Sequence, residues 1–137
     1  MVEAKVIEKI RNVLKADAII KGLVADRIYA SHISSIQRPT YPAISITLLP
    51  GQARTNIPEM INMVLQIDLW FPADSYTSDQ VCACYDRVRA LLHRQALSDT
   101  TIGIKIEQIM ESAVGPLIFD EESSCLHLPA RFNAVAI

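Results

Sequence analysis

Between residues 60 and 71 apolar and polar side chains alternate with almost no interruption. Ile61, Met63, Leu65, Ile67 and Leu69 take every second position, with Asn62, Gln66 and Asp68 between them. Strand side chains point alternately to the two faces of a sheet, so this pattern predicts a strand with one wholly apolar face. Val64 and Trp70 fall on the second face, which is therefore not purely solvated. A strand of this kind cannot stand alone. It must be flanked by other strands and covered by an amphipathic layer.

The rest of the chain supplies both. Val6, Ile10, Val13 and Leu14 recur at helical spacing and predict a helix over 3–15. Asp17 is placed to cap a further turn or two through Ile19, Ile20 and Leu23. A short β-prone stretch surrounds Ile28 and Tyr29, and Pro39 and Pro42 exclude a helix after it. Ile44, Ile46 and Leu48 then alternate with Ser45 and Thr47, predicting a strand over 43–49. Thr77 with Gln80 three residues on has the form of a capping box, and Val81, Tyr85, Val88 and Leu92 follow at helical spacing over 78–95. Two more alternating stretches predict strands over 102–109 and 125–135. The first slips phase at Ile109, which suggests a bulge or the strand's end. The second contains Pro129, which suggests an edge or a bulge. The stretch from Ser112 to Ser124 reads as loop. The expectation is a single α+β domain over residues 1–137. It has a largely antiparallel or mixed sheet of four to five strands, with two main helices on one face. Leu65, Ile67, Leu69, Ile46, Val88, Leu92, Val13 and Ile10 are its expected core.

Charge narrows the function classes. The chain carries 13 Lys and Arg against 15 Asp and Glu. That balance argues against specific nucleic-acid binding, which favours a basic face. The charge is unevenly spread: residues 99–137 hold two basic and six acidic groups. No apolar run is long enough to span a membrane, and the N-terminal stretch lacks the form of a signal peptide. Three cysteines with no framework spacing read as free thiols in a reducing compartment.

Candidate chemistry is sparse. Cys82 and Cys84 are two apart, so on a helix they point away from one another and do not chelate a metal together. Cys125, His127 and Asp120 contain the residue types of a nucleophile–base–acid set, but no nucleophile elbow or oxyanion loop accompanies them. The four glycines are isolated, which excludes a phosphate loop. No cofactor and no catalytic activity are expected, and His127→Ala and Cys82→Ala variants are expected to fold normally. Arg87 and Arg94, seven apart, are expected on one face of the second helix. The stretch 50–59 between two strands is long for a hairpin and reads equally as an arm that lies across a partner or as a disordered hairpin tip.

In sequence order, LKADAIIKGLVADRIYA, the Pro-bounded YPAISITLL, MVLQIDLWFPADSYTSD and a helix containing DRVRALLH resemble the tail completion (tail terminator, or tail-to-head joining) proteins of tailed phages and prophages. The matching elements are Asp26-Arg27-Ile28-Tyr29, Tyr41-Pro42, Asp68-Leu69-Trp70 and Ser75-Tyr76. In that family the proline usually precedes the aromatic at the second site; here Tyr41 precedes Pro42. The likeness covers residues 5–97. It implies a non-enzymatic subunit of the virion tail, made in the host bacterial cytoplasm, that closes into a ring, six-fold in form. The ring would end the tail tube and join it to the head connector, so the implied partners are further copies of itself, the tail tube protein and the connector proteins. The expected interface residues are Gln52, Arg54, Asn56, Ile57, Val64, Trp70, Arg87 and Arg94. The competing expectation is a small-molecule-binding or regulatory α+β module without catalytic activity.

Overall fold

In a computed structural model, which describes residues 2–30, 40–49 and 61–136, the chain begins with two consecutive helices, α1 (Val2–Ala16) and α2 (Ala18–Val24). Asp17 separates them. Its carboxylate accepts the Ile20 N–H at 3.1 Å and caps α2 as the sequence suggests. Strands β1 (Ile28–Tyr29), β2 (Ala43–Leu48) and β3 (Ile61–Pro72) follow, then α3 (Ser78–Leu92) behind the complete Thr77–Gln80 capping box. The chain ends with β4 (Gln95–Asp99), β5 (Ile104–Val114), β6 (Ile118–Asp120) and β7 (Cys125–Ala136).

The strands form one mixed sheet in the order β1-β2-β3-β7-β5-β4, with β6 also paired to β7. Only β1 and β2 run parallel among the described pairs. The long strands β3 and β7 form its centre, in register from Ile61↔Ala136 to Pro72↔Cys125. The α+β expectation therefore holds, while its counts need correction: among the described residues there are seven strands rather than four to five, and three helices rather than two main ones. The added strands are β4 and β6, both short, and α2 is the further turn expected after Asp17. The second main helix also stops at Leu92, not 95, because His93 leaves helical geometry and Arg94 takes a left-handed φ of 62° that turns the chain straight into β4.

One face of the sheet is the core. Met63, Leu65, Ile67, Leu69 and Phe71 of β3 pack with Leu128, Ala130, Phe132 and Ala134 of β7, under Ile10, Leu14, Ile20, Val81, Val88 and Leu92 from the helices. Val13, expected in the core, is only partly buried; its neighbour Leu14 is fully enclosed. The phase slip at Ile109 is a bulge: the β5 register shifts between Ile106 and Gln108, which lets Ile106 and Ile109 both face inward.

Pro129 lies neither on an edge nor at a bulge. It sits in the central strand β7, paired to Asp68 of β3 on one side. On the other side the β5 ladder ends at Val114↔Ala130 and the β6 ladder starts at Ile118↔His127. The Pro129 carbonyl faces this interval and accepts the Gly115 N–H at 2.8 Å. N–H and C=O of a strand residue point the same way, so the missing proline donor falls where no strand is there to need it.

Candidate interaction face

Among the described residues the three helices cover one side of the sheet; on the other side Ala43, Ser45, Asp68 and Trp70 are buried, while the part toward β5 is left open by them. Asn62, Val64 and Gln66 of β3, Arg131, Asn133 and Val135 of β7, and Gln108 and Met110 of β5 are all exposed or only half-buried on that side. Neutral amides and apolar side chains dominate it, and Arg131 is the one charged member of that set. The helical side carries the ion pairs Lys9–Asp99, Arg87–Asp17 and Arg89–Glu111, and the outer face of β5 carries Lys105–Glu107. A sheet surface with few charges, left uncovered by the described elements, has the composition of a contact surface rather than of a solvated one.

Two shallow grooves run across this face. One of about 380 Å³ lies between Asn62, Val64, Gln108, Met110, Asn133 and Val135. The other, of about 370 Å³, lies over the interval at Pro129 and is bordered by Gln66, Val114, Gly115, His127, Pro129 and Arg131. A third concavity of about 580 Å³ sits at the end of the sheet beside Tyr41, Asp74, Phe119 and Cys125.

Beneath the second groove lies a buried polar cluster. The Asp68 side chain is wholly buried, and His127 Nε2 lies 2.7 Å from its Oδ1. A carboxylate only accepts, so the proton of this contact belongs to the imidazole. The Gln66 amide donates to both Asp68 oxygens, at 3.0 and 3.2 Å. The His127 ring stacks on Trp70, centroids 3.9 Å apart and 4° from parallel, and Trp70 Nε1 donates to Ser45 Oγ at 3.1 Å. Register makes the cluster: Trp70 is directly opposite His127, and Ser45 directly opposite Asp68. The imidazole of His127 thus meets a buried carboxylate, a role that bears on the expectation that His127 is dispensable for folding.

The supposed Cys125–His127–Asp120 set is not assembled. His127 is committed to Asp68, and Asp120 accepts from Ser123 N at 3.0 Å and from its hydroxyl. Burial pushes the Cys125 thiol up, away from the thiolate a nucleophile needs. Cys84 is buried and its thiol is pushed up to about 12 by desolvation, whereas Cys82, two positions away on α3, is exposed. Among the described residues no group of three or more His, Cys, Asp or Glu is placed to hold a metal.

The expected interface residues fall in different places. Val64 is half-buried on the open face, bordering the first groove. Trp70 is 4% exposed, with its ring against His127. Arg87 is on α3, its Nε donating to Asp17 at 2.9 Å across to the start of α2. Arg94 is beyond the helix, so the two arginines do not share a helix face as expected. Gln52, Arg54, Asn56 and Ile57, with the rest of the 50–59 stretch, lie outside the described residues. The sequence reading missed Asp68, Gln66, Arg131, Ile118 and Phe119. Two signals were present: a carboxylate set among Ile67, Leu69, Trp70 and Phe71, and the apolar run Leu117-Ile118-Phe119 in a stretch read as loop.

No family model and no curated protein matches this sequence. Among solved structures, the fold matches a chain from the virion of a native gene transfer agent particle with a TM-score of 0.73. The match covers 98% of this chain and 96% of that one, at 14% sequence identity. The α+β fold described above is thus shared over its whole length with a chain of that particle.

Proposed function

We propose that this chain is a structural subunit of a phage or prophage particle. More specifically, it forms a ring, six-fold in form, that terminates the tail tube and joins it to the head connector. The observation that carries this reading is the full-length fold match to a chain of the gene transfer agent virion. The motifs from Asp26-Arg27-Ile28-Tyr29 to Ser75-Tyr76 support the tail-terminating role within it. The open, nearly uncharged sheet face supports an assembly role, since such a surface suits a protein partner better than solvent. In this role the protein has no catalytic activity and takes no cofactor, and its partners are its own copies, the tube protein and the connector.

The test is localisation and loss. Gold-labelled antibody against this chain should mark purified particles at the junction of tail and head. Disrupting its gene in the phage or prophage that encodes it should leave filled heads and unjoined tails in the lysate. Particles that are unlabelled, together with normal joined particles from the disrupted gene, would overturn the reading.

A further inference from the structure

We propose that copies of this chain bind head to tail. Phe119 and the acidic turn after it form a knob that seats in the groove over Pro129 of the next copy. The proposal rests on the ring reading above and names its interface. Phe119 is 55% exposed and the neighbouring Ile118 46% exposed, on the three-residue strand β6 at the end of the sheet. The two side chains point to opposite faces of the strand, and the openly displayed Phe119 ring is the apolar surface of the knob. The turn that follows is acidic. The Asp120 carboxylate is folded back onto Ser123, while Glu121 and Glu122 are exposed.

The groove has the opposite character. It is bordered by Gln66, Val114, His127, Pro129 and Arg131 and holds about 370 Å³. Val114, 44% exposed, gives it an apolar wall. Arg131 is exposed at its rim, and none of its lining residues is acidic. The depression exists because the β5 ladder stops at Ala130 and the β6 ladder resumes only at His127. An apolar knob flanked by carboxylates fits an apolar-walled groove with an arginine at its rim, in shape and in sign.

Charge also selects the geometry. A two-fold contact of knob on knob would bring Glu121 and Glu122 of both copies together, which like charges oppose. A knob-to-groove contact made once between two copies uses two different surfaces, so each bound copy still presents a free knob or a free groove, and such a series ends by closing.

Two variants test this. Phe119→Asp removes the knob and keeps the groove; Arg131→Glu does the reverse. Both side chains are exposed, so both variants should keep the wild-type circular dichroism and melting temperature. If Arg131→Glu melts early, Val114→Asp replaces it as the groove variant. By sedimentation velocity the wild type should assemble with rising concentration, and each variant alone should remain a monomer. An equimolar mixture should give one-to-one dimers and nothing larger, because one productive contact remains. Variants that assemble like wild type, a mixture that stays monomeric, or wild type that stays monomeric into the millimolar range would each overturn the interface. The particle labelling described above is read separately: junction labelling with intact assembly of both variants sinks this interface and leaves the ring reading standing.

Discussion

Gly115 donates its backbone N–H to the Pro129 carbonyl at 2.8 Å, and a Cβ at position 115 would fall 2.6 Å from the proline Cγ. The strand pair closes so tightly here that only hydrogen fits between them. Neither partner can yield easily, since the pyrrolidine ring is rigid and β7 is held on its other side by β3. Gly115→Ala should therefore destabilise the fold by about 1–3 kcal/mol, the usual cost of overpacking. Chemical denaturation of the two proteins measures it. A change within about 0.5 kcal/mol would show that the ladder end relaxes freely.

The two faces of β3 predict opposite sensitivities from adjacent positions. Leu65 is wholly buried under the helices, whereas Val64 is half-buried on the open face. Leu65→Ala should cost about 2–5 kcal/mol through lost burial and the cavity left behind. Val64→Ala should change monomer stability by roughly 0.5 kcal/mol or less. Equal costs at both sites would mean that the open face is covered within the monomer.

Long periodic elements were legible in the sequence because burial acts on one face at a time. Strand β3, strand β7 and helix α3 with its Thr77–Gln80 box all follow from spacing alone. Strand β4 was not legible, because Gln95, Ala96 and Ser98 of this edge strand are exposed and impose no alternation. Strand β6 is too short to show a period at all. The polar cluster depends on register: Asp68 and His127 are 59 positions apart and meet only because β3 and β7 pair as they do. Spacing gives faces but not partners, so Asp68 was readable as a polar residue in a strand and not as the partner of His127.

The thiols should separate by reactivity. Burial pushes the Cys84 thiol up to about 12 and also raises Cys125, so neither is a thiolate near neutrality. Cys82 is exposed on α3. An excess of a maleimide at about pH 8 should therefore label one thiol per folded chain, Cys82, and all three after denaturation. Peptide mapping identifies the site. Rapid labelling of Cys84 in the folded protein would contradict the helix packing.

Acid should weaken the fold in a defined direction. The Arg87 guanidinium bound to Asp17 holds its carboxyl below the usual carboxylate range. Asp99, bound by the Ile102 and Thr101 N–H groups and by Lys9, and Asp120, bound by Ser123, are lowered likewise. A carboxyl with a lowered folded pKa stabilises the fold fully above its unfolded value, near about 3.9, and loses that contribution as pH falls through the folded value. Asp17→Asn keeps an oxygen to cap α2 but loses the ion pair. The variant should be less stable than wild type at neutral pH, and the gap should narrow as pH falls below about 4. Thermal melts across that range read it directly; a gap that is constant with pH would remove the ion pair as its source.

The Asp68–His127 contact gives the sharpest test of how the open face is built. Asp68 is wholly buried, and its oxygens are met by His127 and by the Gln66 amide. His127→Ala removes one of these two donors and also the ring stacked on Trp70. A buried polar group stripped of a partner costs about 1–3 kcal/mol, and more when charged. The single variant should therefore lose at least that much stability. Asp68→Asn in the same chain should recover part of the loss, because a neutral amide is cheaper to bury than a carboxylate. The coupling is obtained from the double-mutant cycle in denaturant melts. Additive effects of the two substitutions would mean that the histidine acts only through its stacking on Trp70. A stable His127→Ala variant would mean that Asp68 needs no partner beyond Gln66, and that the open face holds together without this cluster.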